Sequence, residues 1–179
     1  MNQVSHFLYP NEAGHSLRVA QEHPDQPDVV SLIDELDAYQ KPLYPPECFY
    51  GIDIAALGQP NVLFAVARGA QGTALGCGAV VLRAEFGEIK RMFVRPQHRG
   101  LGVARAILAF LEAGAVAQGC HQLMLETGIS QPEALLLYER SGYARRGPFA
   151  DYPDDPFSVF MEKPVRLPAR DEPLNRHEP

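Results

Sequence analysis

Apolar residues recur along this chain with two different periods, and the switches between them mark its elements. Val29, Leu32, Ile33, Leu36 and Tyr39 fall three or four residues apart, the spacing of one buried helix face. Asp25 is positioned to cap that helix, with Pro27 and Asp28 in its first turn. Pro42 restricts the residue before it, so the helix should end near Gln40 or Lys41, and Leu43 to Glu47 follows as a stiff loop. A short helical piece is expected over residues 52–57. Residues 61–68 and 75–83 are rich in Val, Leu, Phe and Ala and read as strands, with a hairpin turn over 69–73. A further strand begins at Glu88. Leu101, Ala104, Ile107, Leu108 and Leu111 then return to helical spacing, and Gly119 closes that helix.

The helix carries the chain back for a strand over 121–127, parallel to the one that begins at Glu88. Ser130 and Glu133 have capping-box spacing, Pro132 lies in the first turn of the next helix, and Gly142 follows its last turn. Residues 143–146 and 158–163 can pair as the last strands, joined by a loop over 147–157. Leu17 to Gln21 reads as the first strand, residues 1–16 as a flexible extension, and 164–179 as a disordered tail without core residues.

Composition narrows the class. With 179 residues the chain suits one domain, placed at 17–163, and its 46% hydrophobic and 21% charged content is ordinary for a soluble globule. No apolar run approaches the roughly 20 residues of a membrane helix, and no basic and apolar leader opens the chain, so no membrane association is expected and the cytoplasm is the default location. Cys48, Cys77 and Cys120 are widely spaced, and the six histidines show no ligand spacing. Buried thiols and no metal are the expectation. The net charge of -6 argues against nucleic acid as a partner.

Against that acidic total, every charged residue from Lys90 to Arg105 is basic: Lys90, Arg91, Arg95, Arg99 and Arg105. The same stretch runs from a hydrophobic strand through Pro96, Gly100 and Gly102 into a helix. Free backbone N–H groups at such a helix start, with glycines allowing close approach, make an anion site, and a phosphate ligand is the first reading. A structural glycine turn beside a solvated basic face is the plainer one.

Gln97-His98-Arg99-Gly100-Leu101-Gly102 resembles the Gln/Arg-x-x-Gly-x-Gly/Ala signature of the GNAT superfamily of acetyl-CoA-dependent N-acetyltransferases. Residues 132–143, ending Leu137-Tyr138-Glu139-Arg140-Ser141-Gly142-Tyr143, resemble that family's Leu-Tyr-x-x-x-Gly-Phe/Tyr helix. The Glu-Thr-Gly and Gln-Pro-Glu-Ala runs are similar to bacterial stand-alone members including YsnE-like proteins. Residues 126–130 lack the asparagine many members carry there.

The resemblance implies a single-domain α/β protein of the GNAT fold: a mixed, mainly antiparallel sheet, splayed between two parallel strands, with helices on both faces. It implies transfer of acetyl from acetyl-CoA to a primary amine of a small molecule or peptide, in a ternary complex and without a metal. By resemblance, Gln97, Arg99, Gly100, Leu101, Gly102, Val103 and Ala104 hold the pyrophosphate, with Gln97 fixing the turn. Met92, Phe93 and Val94 pair with the pantetheine arm, and an N–H near Val94 meets the oxyanion. Tyr138 matches the general acid, or is an aromatic buried on its helix. Glu88 stands where members keep a general base, or it pairs with Lys90. Tyr44, Glu47, Tyr152, Asp154 and Asp155 can attract a cationic amine, while Arg83 and Arg91 can instead receive a carboxylate. Homodimers are frequent in the family. A cofactor-binding sensor without turnover and an acyltransferase with another acyl-CoA or an oxygen acceptor stay open.

Overall fold

The computed structural model describes the backbone of residues 7–10 and 16, and residues 17–48 and 50–166 in full. The eight strands are β1 (Phe7–Pro10), β2 (Ser16–Gln21), β3 (Val62–Arg68), β4 (Ala74–Leu82), β5 (Gly87–Val94), β6 (Gln122–Gly128), β7 (Ala144–Arg146) and β8 (Ser158–Pro164). They form one sheet in the order β1-β2-β3-β4-β5-β6-β8-β7. Every pairing is antiparallel except β5 with β6. The helices are α1 (Pro27–Gln40), α2 (Ile54–Leu57), α3 (Val103–Ala117) and α4 (Pro132–Arg140).

Strand β3 explains the layering. Its six residues Val62 to Ala67 are all buried, because successive side chains point to opposite faces and both faces are covered. Val62, Phe64 and Val66 pack with Val29, Leu32, Ile33 and Leu36 of α1 and Leu57 of α2. Leu63, Ala65 and Ala67 pack with Ile107, Phe110 and Leu111 of α3. Tyr138 of α4 joins this second core.

Several local expectations need correction. Gln26, not Asp25, precedes the first turn of α1, without a side-chain cap; its amide instead donates to Glu22 Oε2 at 3.0 Å and His23 O at 2.8 Å. Gln131, not Ser130, holds that position for α4, and Glu133 turns away to Arg99. In both helices Pro follows the N-cap and supplies the fixed φ and missing N–H that suit a helix start. Residues 7–10, assigned to the N-terminal extension, pair with β2. The remainder of the extension, 1–6 and 11–15, and the tail 167–179 lie outside the described residues. The last strand runs one residue past Lys163, and Val165 is buried with its N–H donating to His121 O at 2.9 Å.

Between Cys77 and Ala79 on β4, one residue, Gly78, opposes two on β5, Arg91 and Met92. This is a β-bulge, and Arg91 takes the left-handed φ of 56° there. Arg91 is held there from its side chain, which ion-pairs with Asp37 of α1 and donates through Nε to Ile52 O at 2.8 Å. Gly78 is the other half of the device. A Cβ there would overlap Met92 Sδ and approach Ile107 Cγ2 to 2.9 Å. We expect Gly78→Ala to lose about 2 kcal/mol of stability by overpacking, measured by urea denaturation; a loss below about 0.5 kcal/mol would show that the bulge does not depend on this close approach.

Candidate active site

Strands β5 and β6 pair over only three residues, Gly87↔Leu123, Glu88↔Met124 and Ile89↔Leu125. Beyond them the two strands part, and a cleft of about 1010 Å³ opens between residues 90–94 and 126–128. The bulge at Arg91 lies at the point of parting. Arg95 N donates to Leu75 O at 3.0 Å, so by the alternation of an antiparallel ladder the N–H and C=O of Val94 face away from β4 and into the gap. The Val94 carbonyl is taken by Arg99 Nε at 3.1 Å; its N–H is left to the cleft. Met92, Phe93 and Val94 all line it.

One end of the cleft is the N-terminus of α3. Gly100 and Gly102 have φ of 74° and 77°, and a Cβ on either would meet open space. Ala106 is the first helical residue to donate back, to Gly102 O at 3.0 Å, which leaves the N–H groups of 103–105 without an intrahelical partner. No acidic residue stands in that first turn. The residues present therefore fit a phosphate-bearing ligand. Arg99, Gly100, Gly102, Val103 and Ala104 line the cleft, whereas Gln97 and Leu101 are exposed and lie outside its wall. Gln97 does not fix the turn: backbone bonds from His98 to Arg95 O and from Arg99 to Pro96 O do.

The basic stretch divides. Lys90, Arg91 and Arg95 turn into the protein, onto Glu88, Asp37 and Glu35. Arg99 bridges to exposed Glu133 at 3.1 Å and lies over the Tyr39 ring. Arg105 and Arg140 line the cleft with no acidic partner among the described residues. The surplus charge available to an anion is thus two or three arginines, not five cations.

Deeper in, Tyr138 of α4 lines the cleft and is 5% exposed. Burial, and then the charge of Glu126, push its phenol above the ordinary value of 10, so it stays protonated and can donate. Its hydroxyl has no hydrogen-bond partner among the described residues. Gln131, also on the cleft wall and buried, keeps its Nε2 unpartnered. Tyr44 lies across Gly128, where a Cβ would overlap its hydroxyl.

Glu88 does not line this cleft. It is 1% exposed and surrounded by donors: Arg83 Nη2 at 2.9 Å, Tyr152 OH at 2.6 Å and Lys90 Nζ at 3.0 Å. Burial raises its pKa, but Lys90's charge and these hydrogen bonds outweigh burial and hold the carboxyl below its ordinary 4.5. Such a carboxylate is a poor proton acceptor and has no direct face on the cleft. Tyr152 is withdrawn with it, bonded to Glu88 and Lys90 and absent from the cleft wall. Glu47 is exposed and off the wall as well, and of the acceptor candidates Tyr44 and Arg91 line the cleft. Asp155 braces the 147–157 loop, accepting from Tyr50 OH at 2.9 Å.

Two carboxylates do line the cleft: exposed Glu133, paired with Arg99, and Glu126, at the parting end of β6. Ser158 Oγ donates to its Oε1 at 2.6 Å; Oε2 has no hydrogen-bond partner among the described residues. Burial raises its pKa above 4.5, against the lowering effects of Ser158 and Lys90. The signal in the sequence was an acid ending an otherwise apolar run, Leu123-Met124-Leu125-Glu126.

The model of the acetyltransferase (GNAT) family matches residues 28–143. An IAA acetyltransferase of Azospirillum brasilense is 45% identical over 152 residues, covering 84% of this chain and 99% of that protein. The uncharacterized N-acetyltransferase YsnE of Bacillus subtilis is 38% identical over 138 residues, covering 75% of this chain and 91% of that one. Among solved structures, a candidate acyl-CoA N-acyltransferase of Klebsiella pneumoniae is 42% identical with a TM-score of 0.71, covering 83% of this chain and 97% of that one. The splayed sheet described above is therefore the acyl-CoA N-acyltransferase fold.

Because the folded pKa of Glu88 lies below its unfolded one, its stabilisation is fully present above about pH 4.5 and is lost as pH falls through the lower folded value. Glu88→Gln should cost about 3 kcal/mol at pH 7 by leaving Lys90 buried without its counter-charge. The deficit should shrink below pH 4.5, in denaturation curves recorded from pH 7 to pH 3. A deficit independent of pH would mean that the charge of Glu88 is not what it contributes.

Proposed function

The chain belongs to the acetyltransferase (GNAT) family and is a transferase, and on that premise we propose that it moves an acetyl group from acetyl-CoA to a primary amine by direct attack in a ternary complex. The observation that carries this reading is one continuous cleft. It runs from the open N-terminus of α3, along the unpaired edge of residues 92–94, to Tyr138 and Glu126. Acetyl-CoA is the co-substrate that such a cleft suits, because it joins a pyrophosphate to a slender arm of amides that ends in a thioester.

In this reading the N–H groups of 103–105 and the glycine turn receive the pyrophosphate, with Arg99 and Arg105 adding attraction. The edge of β5 and the amide of Gln131 offer hydrogen bonds to the arm. An ammonium with an ordinary pKa of about 10.4 must lose a proton before it can attack. Glu126 Oε2 is the acceptor for that proton, a role that passes from Glu88 because Glu88 is enclosed and already satisfied. The amine nitrogen then bonds to the thioester carbon, and the Val94 N–H stabilises the oxyanion. As the carbon–sulfur bond breaks, the Tyr138 hydroxyl gives its proton to the departing sulfur, and the second proton that the nitrogen loses as the amide forms returns the phenolate to phenol by way of solvent. No covalent bond to the enzyme is needed.

The test is amine-dependent CoA release from acetyl-CoA by the purified protein with a pool of amines. Tyr138→Phe should lower kcat by roughly 100-fold or more while CoA binding, followed by calorimetry, is retained. Glu126→Gln should lower kcat/KM and abolish the acid limb of the wild-type pH profile, a limb set above 4.5 by the burial of this carboxyl. CoA binding without release for any amine would favour a sensor, and faster release from longer acyl-CoAs would favour another acyl donor.

A further inference from the structure

The far end of the cleft, beyond Glu126, is walled by Tyr44, Tyr50 and Phe157, the last of them exposed. Two of these rings are fixed from behind. Tyr50 OH donates to Asp155, and its ring meets Tyr152 edge to face at 5.0 Å. Tyr44 lies on Gly128. Asp155 Oδ2 is also 3.1 Å from Ser158 Oγ, whose one hydrogen serves the shorter 2.6 Å contact to Glu126. Rings and carboxylate are therefore parts of one braced wall, and the charge of Glu126 is felt at Tyr44 and Tyr50.

The two cations on this part of the wall are occupied. The three N–H bonds of Lys90 Nζ are accounted for by Tyr50 O at 3.1 Å, Tyr152 OH and Glu88 Oε1 at 3.0 Å. Arg91, 6% exposed, is engaged by Asp37 and by Ile52 O. Arg83, the other candidate for a carboxylate, is bonded to Glu88 and does not line the cleft. A carboxylate on the acceptor would therefore enter beside Glu126, where like charge repels it; the uncommitted donors on the wall, Tyr44 OH and Gln131 Nε2, are neutral and bring no counter-charge.

We propose that the acceptor is a primary amine on an aromatic body with no carboxylate next to the amine, an arylalkylamine and not an amino acid. Glu126 receives the ammonium, and Tyr44, Tyr50 and Phe157 receive the ring, to which they offer apolar area and edge-to-face contact. This rests on the acetyl-transfer reading above and deepens it by naming the class of acceptor.

The experiment compares four acceptors under saturating acetyl-CoA: 2-phenylethylamine, L-phenylalanine, n-propylamine and spermidine. The first pair differs only in the carboxylate, and the first and third differ in the ring. The expected kcat/KM for 2-phenylethylamine exceeds that for L-phenylalanine by about 100-fold, the effect of an uncompensated buried charge. It should exceed that for n-propylamine by roughly tenfold. Phe157→Ala should raise KM for 2-phenylethylamine more than for n-propylamine, a selectivity that a general loss of folding would not produce. Equal or better use of L-phenylalanine or spermidine overturns the acceptor class and leaves acetyl transfer standing. CoA release with none of the four, and none with the wider amine pool, overturns acetyl transfer itself.

Discussion

The site depends on one break in hydrogen bonding: β5 and β6 pair at three positions and then separate. A parallel pair in the middle of a sheet normally continues, because unpaired backbone groups inside a protein are costly. Here the separation is built in. The bulge puts an extra residue into β5 at the parting point, and the αL conformation of Arg91 is held by Asp37 and Ile52 O. On the opposite side, Gly78 gives the backbone and Met92 the room that the bulge needs. The gap is a property of the fold before any ligand arrives.

Around the gap the ionisable groups separate into two kinds. Glu88, Lys90, Arg83 and Tyr152 form a closed cluster that ties the 147–157 loop to the sheet. Its members satisfy one another, so they are stabilising and chemically quiet. Glu126 and Tyr138 each retain an oxygen without a hydrogen-bond partner among the described residues, and both line the cleft. Burial shifts both groups upward, which readies the carboxyl to take a proton and keeps the phenol ready to give one. Two glutamates on neighbouring strands thus have pKa values shifted in opposite directions because of what surrounds each.

Much of this was legible in the sequence. The strand and helix periods located the elements, and the glycines of 100–102 marked the anion end because positive φ there has a recognisable signature. The caps were misassigned because Asp25 and Ser130 satisfy a local rule that Pro27 and Pro132, one residue after Gln26 and Gln131, override. The basic stretch was overcounted for a different reason. The partners of Arg91 and Arg95 lie on α1, at Asp37 and Glu35, more than fifty residues away, and no local pattern announces them. Glu88 was read as a base or as the partner of Lys90, and what decides between them is likewise remote in sequence: Tyr152 is brought onto it only by the tertiary fold.

An unpaired strand edge on the outside of a protein invites any other strand to add to it, and proteins guard such edges with charge, twist or cover. In this molecule the most exposed backbone edge of β5 is on the inside, between two halves of its own sheet. Residues of α3 and α4 line the cleft that this edge borders. Placing the vacancy within the sheet, and not at its rim, keeps what would be a sticking hazard off the outer boundary of the protein.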